Sequence, residues 1–252
     1  MKRHLSVLGL IGRCSIYRIC ATLALLAVTE LALFWWRLSD ALRWYEQDIG
    51  VADSFSRFEY LIDRSHISWC LVVAFVTVTA LLCLTGTETK SRISYTLDRL
   101  SVSSRSIWWL QFSYNAFVYL LLLAAQLALL LTMSHIYNAL IPAELLNPQG
   151  TLMAFYLNDF LHSLLPLADI PLWGRNLFII VSLSAVSSHF PMEQRIKKHL
   201  PIAPAALVLF IIVFFSVPRS GVFNILVVCS VCLLLTVTAM RRALKREVSY
   251  EN

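Results

Sequence analysis

Apolar runs long enough to cross a bilayer constrain this chain more than any other feature. A spanning helix needs about 20 predominantly apolar residues, because the hydrocarbon core is about 30 Å thick and a helix rises about 1.5 Å per residue. Six runs can be drawn, at Arg18–Trp36, Ile67–Thr85, Ile107–Ser134, Leu172–Phe190, Ile202–Val217 and Val222–Met240. With 58% of its 252 residues hydrophobic and 14% charged, the chain is far more apolar than ordinary soluble domains. Hydrocarbon accepts such runs when they close their own backbone hydrogen bonds as helices. The expected fold is therefore all-α: a polytopic integral membrane protein with six transmembrane helices, one domain over residues 1–252.

The fifth run is the shortest. Pro201 and Pro218 bracket it, and Pro218, Arg219, Ser220 and Gly221 have the chemistry of a tight turn, so runs five and six read as a helical hairpin. The first run leads into Arg37 without a small-residue cleavage pattern and reads as a retained helix. Cys14, Cys20, Cys70, Cys83, Cys229 and Cys232 lie in or beside apolar segments. The Cys229/Cys232 pair has metal-site spacing but no His or acidic neighbour to complete a site, and reads as small apolar filler.

Orientation follows from the basic residues, which concentrate in cytoplasmic segments close to spans. With both termini inside, the inner segments hold Lys2, Arg3, Arg13 and Arg18; Lys90, Arg92, Arg99 and Arg105; Arg195, Lys197 and Lys198; and Arg241, Arg242, Lys245 and Arg246. Of the 21 Lys and Arg residues, only Arg37, Arg43, Arg57, Arg64, Arg175 and Arg219 then fall outside. The net charge of +6 thus reports topology and contact with anionic lipid, and calls for no nucleic acid.

The first outer loop, Leu38–His66, mixes Asp40, Glu46, Asp48, Asp53, Glu59 and Asp63 with Trp44, Tyr45, Phe55, Phe58 and Tyr60, which suits short helices at headgroup level. In the second, Ile136–Ile170, residues 151–165 carry Met153, Phe155, Tyr156, Phe160 and Leu164 around Asn158, Asp159 and His162. That stretch is too short and interrupted for a seventh span and reads as an interfacial or re-entrant helix.

Sites for chemistry are sparse. There is no H-E-x-x-H, no Gly-x-Ser-x-Gly elbow and no phosphate-binding G-x-x-x-x-G-K-[ST] loop. Two polar features lie inside the runs. Glu30 is an ionisable residue within the first, a functional candidate by its position, with a hydrogen-bonded packing role as the alternative. Gln111, Asn115, Tyr119 and Gln126 fall at offsets of 4, 4 and 7 in the third, which puts them on one face of a helix of about 3.6 residues per turn. This stripe reads equally as the lining of a pathway, a subunit interface, or a source of interhelical hydrogen bonds worth about 0.6–2 kcal/mol each.

Between runs two and three, residues 87–106 read TETKSRISYTLDRLSVSSRS. Ser94–Leu100 can form a short amphipathic helix with Leu97 and Leu100 three residues apart and Asp98 and Arg99 on other faces. An ordinary basic loop beside lipid headgroups is the plainer reading of the same composition.

Residues Thr96–Gln111, TLDRLSVSSRSIWWLQ, resemble the loop that joins the second and third of six spans in ABC-2-type transporter permeases, close to "L-x-x-L-P-V-S-R-x-x-I". Leu97, Leu100, Val102, Ser103 and Ile107 occupy the matching positions; Ser101 and Ser104 stand where proline and arginine are common, with Arg105 one residue later. The resemblance implies a type V exporter-like permease in a bacterial plasma membrane, paired with a second permease, identical or related. It further implies that Leu97, Asp98, Arg99 and Leu100 form the coupling helix on which a cytoplasmic ABC ATPase docks. ATP and Mg would belong to that ATPase, and this chain would bind no cofactor and catalyse no reaction itself. By the same resemblance residues 1–17 are an interfacial segment preceding the first span, and 241–252 are a cytoplasmic tail. Two other readings compete: an intramembrane enzyme using Glu30, Asp159 and His162 at one depth, and a membrane scaffold or sensor that only binds a partner.

The charge argument predicts that, on a cysteine-free background in intact cells, an impermeant thiol reagent labels Ser54→Cys and leaves Ser249→Cys unmodified. Labelling at 249 would reverse the assigned orientation.

Overall fold

In hydrocarbon every backbone amide must find its partner within the chain, and helices do this locally. The computed structural model describes residues 2–46, 57–84, 103–141, 150–167, 169–194, 206 and 222–250. Among these every extended element is an α-helix: α1 (Lys2–Glu46), α2 (Phe58–Arg64), α3 (Ile67–Leu84), α4 (Ser104–Leu140), α5 (Gly150–Leu157), α6 (Asp159–Leu164), α7 (Ile170–Gln194) and α8 (Val222–Tyr250). Four contain stretches long and apolar enough to cross a membrane: Ser15–Trp44 of α1, all of α3, Arg105–Leu140 of α4 and Ile170–Pro191 of α7. α8 carries a shorter apolar stretch, Ile225–Arg241.

The helices overrun the expected spans. α1 is continuous for 45 residues, about 68 Å at 1.5 Å per residue, so residues 2–17 extend the first span as one rod. The segment from Lys2 to Tyr17 holds no proline, and Gly9 and Gly12 cost only about 1 kcal/mol each relative to alanine. α4 starts at Ser104 because Ser103 caps it, its hydroxyl accepting from the Ser106 amide at 3.3 Å. α8 runs through the basic tail to Tyr250, where Ala, Leu, Lys, Arg and Glu all favour helix. The fifth run and the loop holding Leu97–Leu100 lie outside the described residues, apart from Ala206 and Ser103–Ser106.

Hydrogen bonds and ring contacts set the helix directions. Ser15 meets Tyr114 at 2.6 Å near the starts of α1 and α4, and Glu30 meets Gln126 farther along both, so these two helices run parallel. Phe34, Phe58 and Tyr137 form an edge-to-face chain at their far end, with centroid separations of 6.1 and 5.4 Å. α3 and α7 run the opposite way, through Thr79 against Tyr119 and Ser187 against Asn115. α8 packs along α7 in the same direction: Arg175 interacts electrostatically with Cys229, and ten residues later on each helix Ala185 and Ala239 share a small cluster with Trp108. The end of α7 and the start of α8 therefore lie at opposite ends of the bundle.

α1 packs on α3 and α4, and α7 packs on α3, α4 and α8. Phe34, Leu38, Phe75, Val78, Leu122, Leu130, Met133 and Leu183 fill the interior, whereas Leu25, Val28, Val73, Phe117, Leu131, Leu177 and Leu234 face outward. Such outward leucines and valines suit acyl chains. Tyr17 and Trp36, both well exposed, are 19 residues apart on α1, about 28 Å. That spacing matches the thickness of a hydrocarbon core of about 30 Å, at whose two surfaces exposed aromatic residues concentrate.

The expected single helix over 151–165 is two, broken at Asn158. This residue is buried and does three things: its carbonyl accepts from the Leu161 amide at 3.0 Å to cap α6, and its amide donates to Glu59 O at 3.2 Å and Asp63 Oδ1 at 2.9 Å. Asn158 thereby ties the α5–α6 pair to α2. We expect Asn158→Ala to lower stability by about 1–2 kcal/mol, a Tm decrease of about 3–6 °C by scanning fluorimetry in detergent. An unchanged Tm would mean that the two cap segments hold together without this residue.

Candidate functional site: a buried polar seam

Polar side chains inside an apolar bundle are costly unless paired, so their pairing marks a chemically distinct region of the interior. The seam follows α4. Gln111, Asn115, Tyr119 and Gln126 are all buried, the last two with no exposed surface, and they extend over about 22 Å of helix. The offsets of 4, 4 and 7 put them on one face, and that face meets α1, α3 and α7.

Each level uses a different neighbour. Near the α2 end, Gln126 Nε2 donates to Glu30 Oε2 at 2.9 Å, and Glu30, like Gln126, is fully buried. Glu30 Oε1 and Gln126 Oε1 have no hydrogen-bond partner among the described residues. One level down, Tyr119 and Thr79 share a hydrogen bond of 2.9 Å while the Tyr119 ring stacks on Phe75 with centroids 5.9 Å apart. Below that the Asn115 amide lies 2.8 Å from Ser187 Oγ. Turned so that its oxygen accepts from Ser187, its nitrogen donates to the Gln111 carbonyl at 3.2 Å.

On the α7 side the seam is made of small hydroxyl residues. Ser182, Ser184, Ser187 and Ser188 are buried, and the last three bond back to carbonyls of their own helix. Small side chains let neighbouring backbones approach closely. The arrangement holds helices in register and offers carbonyl, hydroxyl and carboxyl oxygens at successive depths.

The structure thus brings Glu30, Gln111, Asn115, Tyr119 and Gln126 together, enclosed by helices of the same chain. It does not join Glu30, Asp159 and His162. The hydrogen-bond partner of Glu30 is Gln126, and that of His162 is Asp169, at 2.9 Å. Leu97, Asp98, Arg99 and Leu100 lie outside the described residues. Cys229 and Cys232 sit one turn apart on α8, and no group of three His, Cys, Asp or Glu side chains converges among the described residues.

Three participants were not visible as such in the sequence. Thr79 and Ser187 are common residues in apolar runs, and only the neighbouring helix gives them a role. Arg175 is different: it is 1% exposed, although its basic character assigned it to an outer loop. The signal was its place four residues inside the run Leu172–Phe190.

No family model, curated protein or solved structure matches the chain, so its chemistry is read from these residues alone.

The Glu30–Gln126 pair makes a quantitative prediction. Gln126→Leu leaves a buried carboxyl without its amide and should cost about 1–2 kcal/mol. Glu30→Leu combined with Gln126→Leu removes both polar groups and should cost less than Gln126→Leu alone. Denaturant unfolding in detergent micelles of these two variants and of Glu30→Leu alone completes the cycle; strictly additive losses would show that the two side chains are not coupled.

Proposed function

We propose that this chain is the membrane-spanning permease subunit of an ATP-binding cassette transporter of the ABC-2 type, an exporter in a bacterial plasma membrane, with six spans and both termini cytoplasmic. The observation that carries the reading is the parallel packing of α7 and α8. Two adjacent parallel helices need a return crossing between them, and the 27 residues 195–221 contain the apolar run Ile202–Val217. One return adds a fifth and makes α8 a sixth, which agrees with the span number that the loop resemblance implies.

The same reading accounts for the chain's chemistry. It has ion-poor, closely packed spans and no phosphate-binding loop of its own, so the energy for transport comes from ATP and Mg on a cytoplasmic ABC ATPase. The loop 87–106 lies between α3 and α4 in sequence, next to Arg105, and the charge argument puts it on the cytoplasmic side. Leu97 and Leu100 would fill an apolar cleft of the ATPase, and Asp98 and Arg99 would pair with charges at its rim. Because the polar seam is closed within one chain, the substrate path runs between this permease and a second one.

The test is Leu97→Asp with Leu100→Asp. Removing two apolar contacts and burying two unpaired charges should cost several kcal/mol of docking energy, enough to abolish recovery of a Walker-motif ATPase with the tagged permease. Yield and monodispersity of the permease should stay at the wild-type level, since neither residue lies in a span. A double variant that keeps its ATPase and its ATP-driven transport would refute the coupling role.

A further inference from the structure

The guanidinium of Arg175 is charged at any physiological pH and presents five N–H donors in a planar fork. Its side chain is 1% exposed, yet its partners are neutral. Nε and Nη2 donate to Asn176 Oδ1 at 3.3 and 3.0 Å, and Nη2 reaches the Ser163 carbonyl at 3.4 Å. Nη1 has no partner, and no carboxylate lies within ion-pair distance of Arg175, among the described residues. Among the described residues this buried cation meets two neutral oxygens and the Cys229 side chain and no carboxylate, which compensates it poorly.

The surroundings specify what would compensate it. Asn176 Nδ2 also donates to the Ser163 carbonyl, at 2.8 Å, so α6 and the second turn of α7 clamp one edge of the guanidinium and fix its plane. Nη1, itself buried, keeps its two N–H groups without an acceptor among the described residues, and a charged carboxylate or phosphate oxygen is the acceptor a guanidinium binds most strongly. Depth favours phosphate. Arg175 is two residues beyond the exposed Trp173, about 3 Å along the helix axis, and exposed tryptophans at span ends mark the headgroup level.

We propose that Arg175 is the receptor for a phosphate-type oxyanion, bound where α6, α7 and α8 meet. The same chemistry is carried by the phosphodiester of an anionic lipid and by phosphate free in solution. The site is independent of the ATPase-docking reading, since it needs neither the loop 87–106 nor a partner chain.

The experiment uses the purified full-length protein in a neutral maltoside detergent, with Tm followed by scanning fluorimetry. Phosphatidylglycerol, phosphatidylcholine and inorganic phosphate are added in separate arms. A ligand at about a hundredfold excess over its Kd should raise Tm by about 5 °C or more. A rise with phosphatidylglycerol alone identifies the lipid as the source, and a rise with inorganic phosphate as well identifies the free anion as sufficient. Arg175→Gln should lose the response and keep a basal Tm at or above that of the wild type, because an uncompensated charge has been removed. If Arg175→Gln does not fold, Arg175→Lys keeps the charge without the fork and should show at most half the shift. The proposal is overturned if neither anion raises the wild-type Tm, if phosphatidylcholine raises it equally, or if either variant responds as the wild type does.

Discussion

The close fit of α7 into the centre of the bundle is the contact on which the remaining packing depends. From Ser182 to His189 it is buried on every side, and a helix can be so enclosed only if its side chains are small or its neighbours stand far off. This sequence takes the first route, with four serines and Ala185 in eight residues. Small residues bring α3, α4 and α8 close enough for dispersion contacts over their whole length, which is the main attraction between helices once water is absent. The serine hydroxyls cost little because three of them return to carbonyls of their own helix.

Around that centre the polar seam selects one register. Lipid-facing leucines give no preference for one rotation of α4 over another, since acyl chains solvate them equally. Gln111, Asn115, Tyr119 and Gln126 do, because turning any of them to hydrocarbon would leave an amide or phenol unpaired at several kcal/mol. Gln126, Tyr119 and Asn115 find their partners only when α1, α3 and α7 are at the correct height, so three modest hydrogen bonds fix three helix positions. The residual oxygens of Glu30 and Gln126 mark the level at which this satisfaction is incomplete.

Much of the architecture was legible because a membrane imposes a simple rule: length and apolarity alone delimited α3 to within one residue and located α4 and α7. Ends were less legible. Nothing in an apolarity argument stops α1 before Lys2 or α8 before Tyr250, since polar residues with high helix propensity continue a helix beyond the bilayer. The break at Asn158 had a readable cause, an Asn followed by Asp159 at a helix start, but the surrounding aromatic residues masked it. Of the seam, one helix was readable, because the stripe on α4 is periodic. Its partners Thr79 and Ser187 were not, because pairing between helices depends on rotation and depth, which no single segment encodes.

Arg175 and Glu30 show why two ionisable groups in one bundle do not simply pair. Glu30 is bonded to Gln126 on α4, whereas Arg175 is clamped to Asn176 and Ser163 beside α8. Moving either to meet the other would break the bonds of Arg175 to Asn176 and Ser163 or the Gln126 bond that aligns α1 with α4. The fold therefore keeps two ionisable groups apart, each in a neutral hydrogen-bonded setting. The alignment of α1 with α4 and the seating of α6 on α7 are then held by different side chains, and a change at one site need not loosen the other.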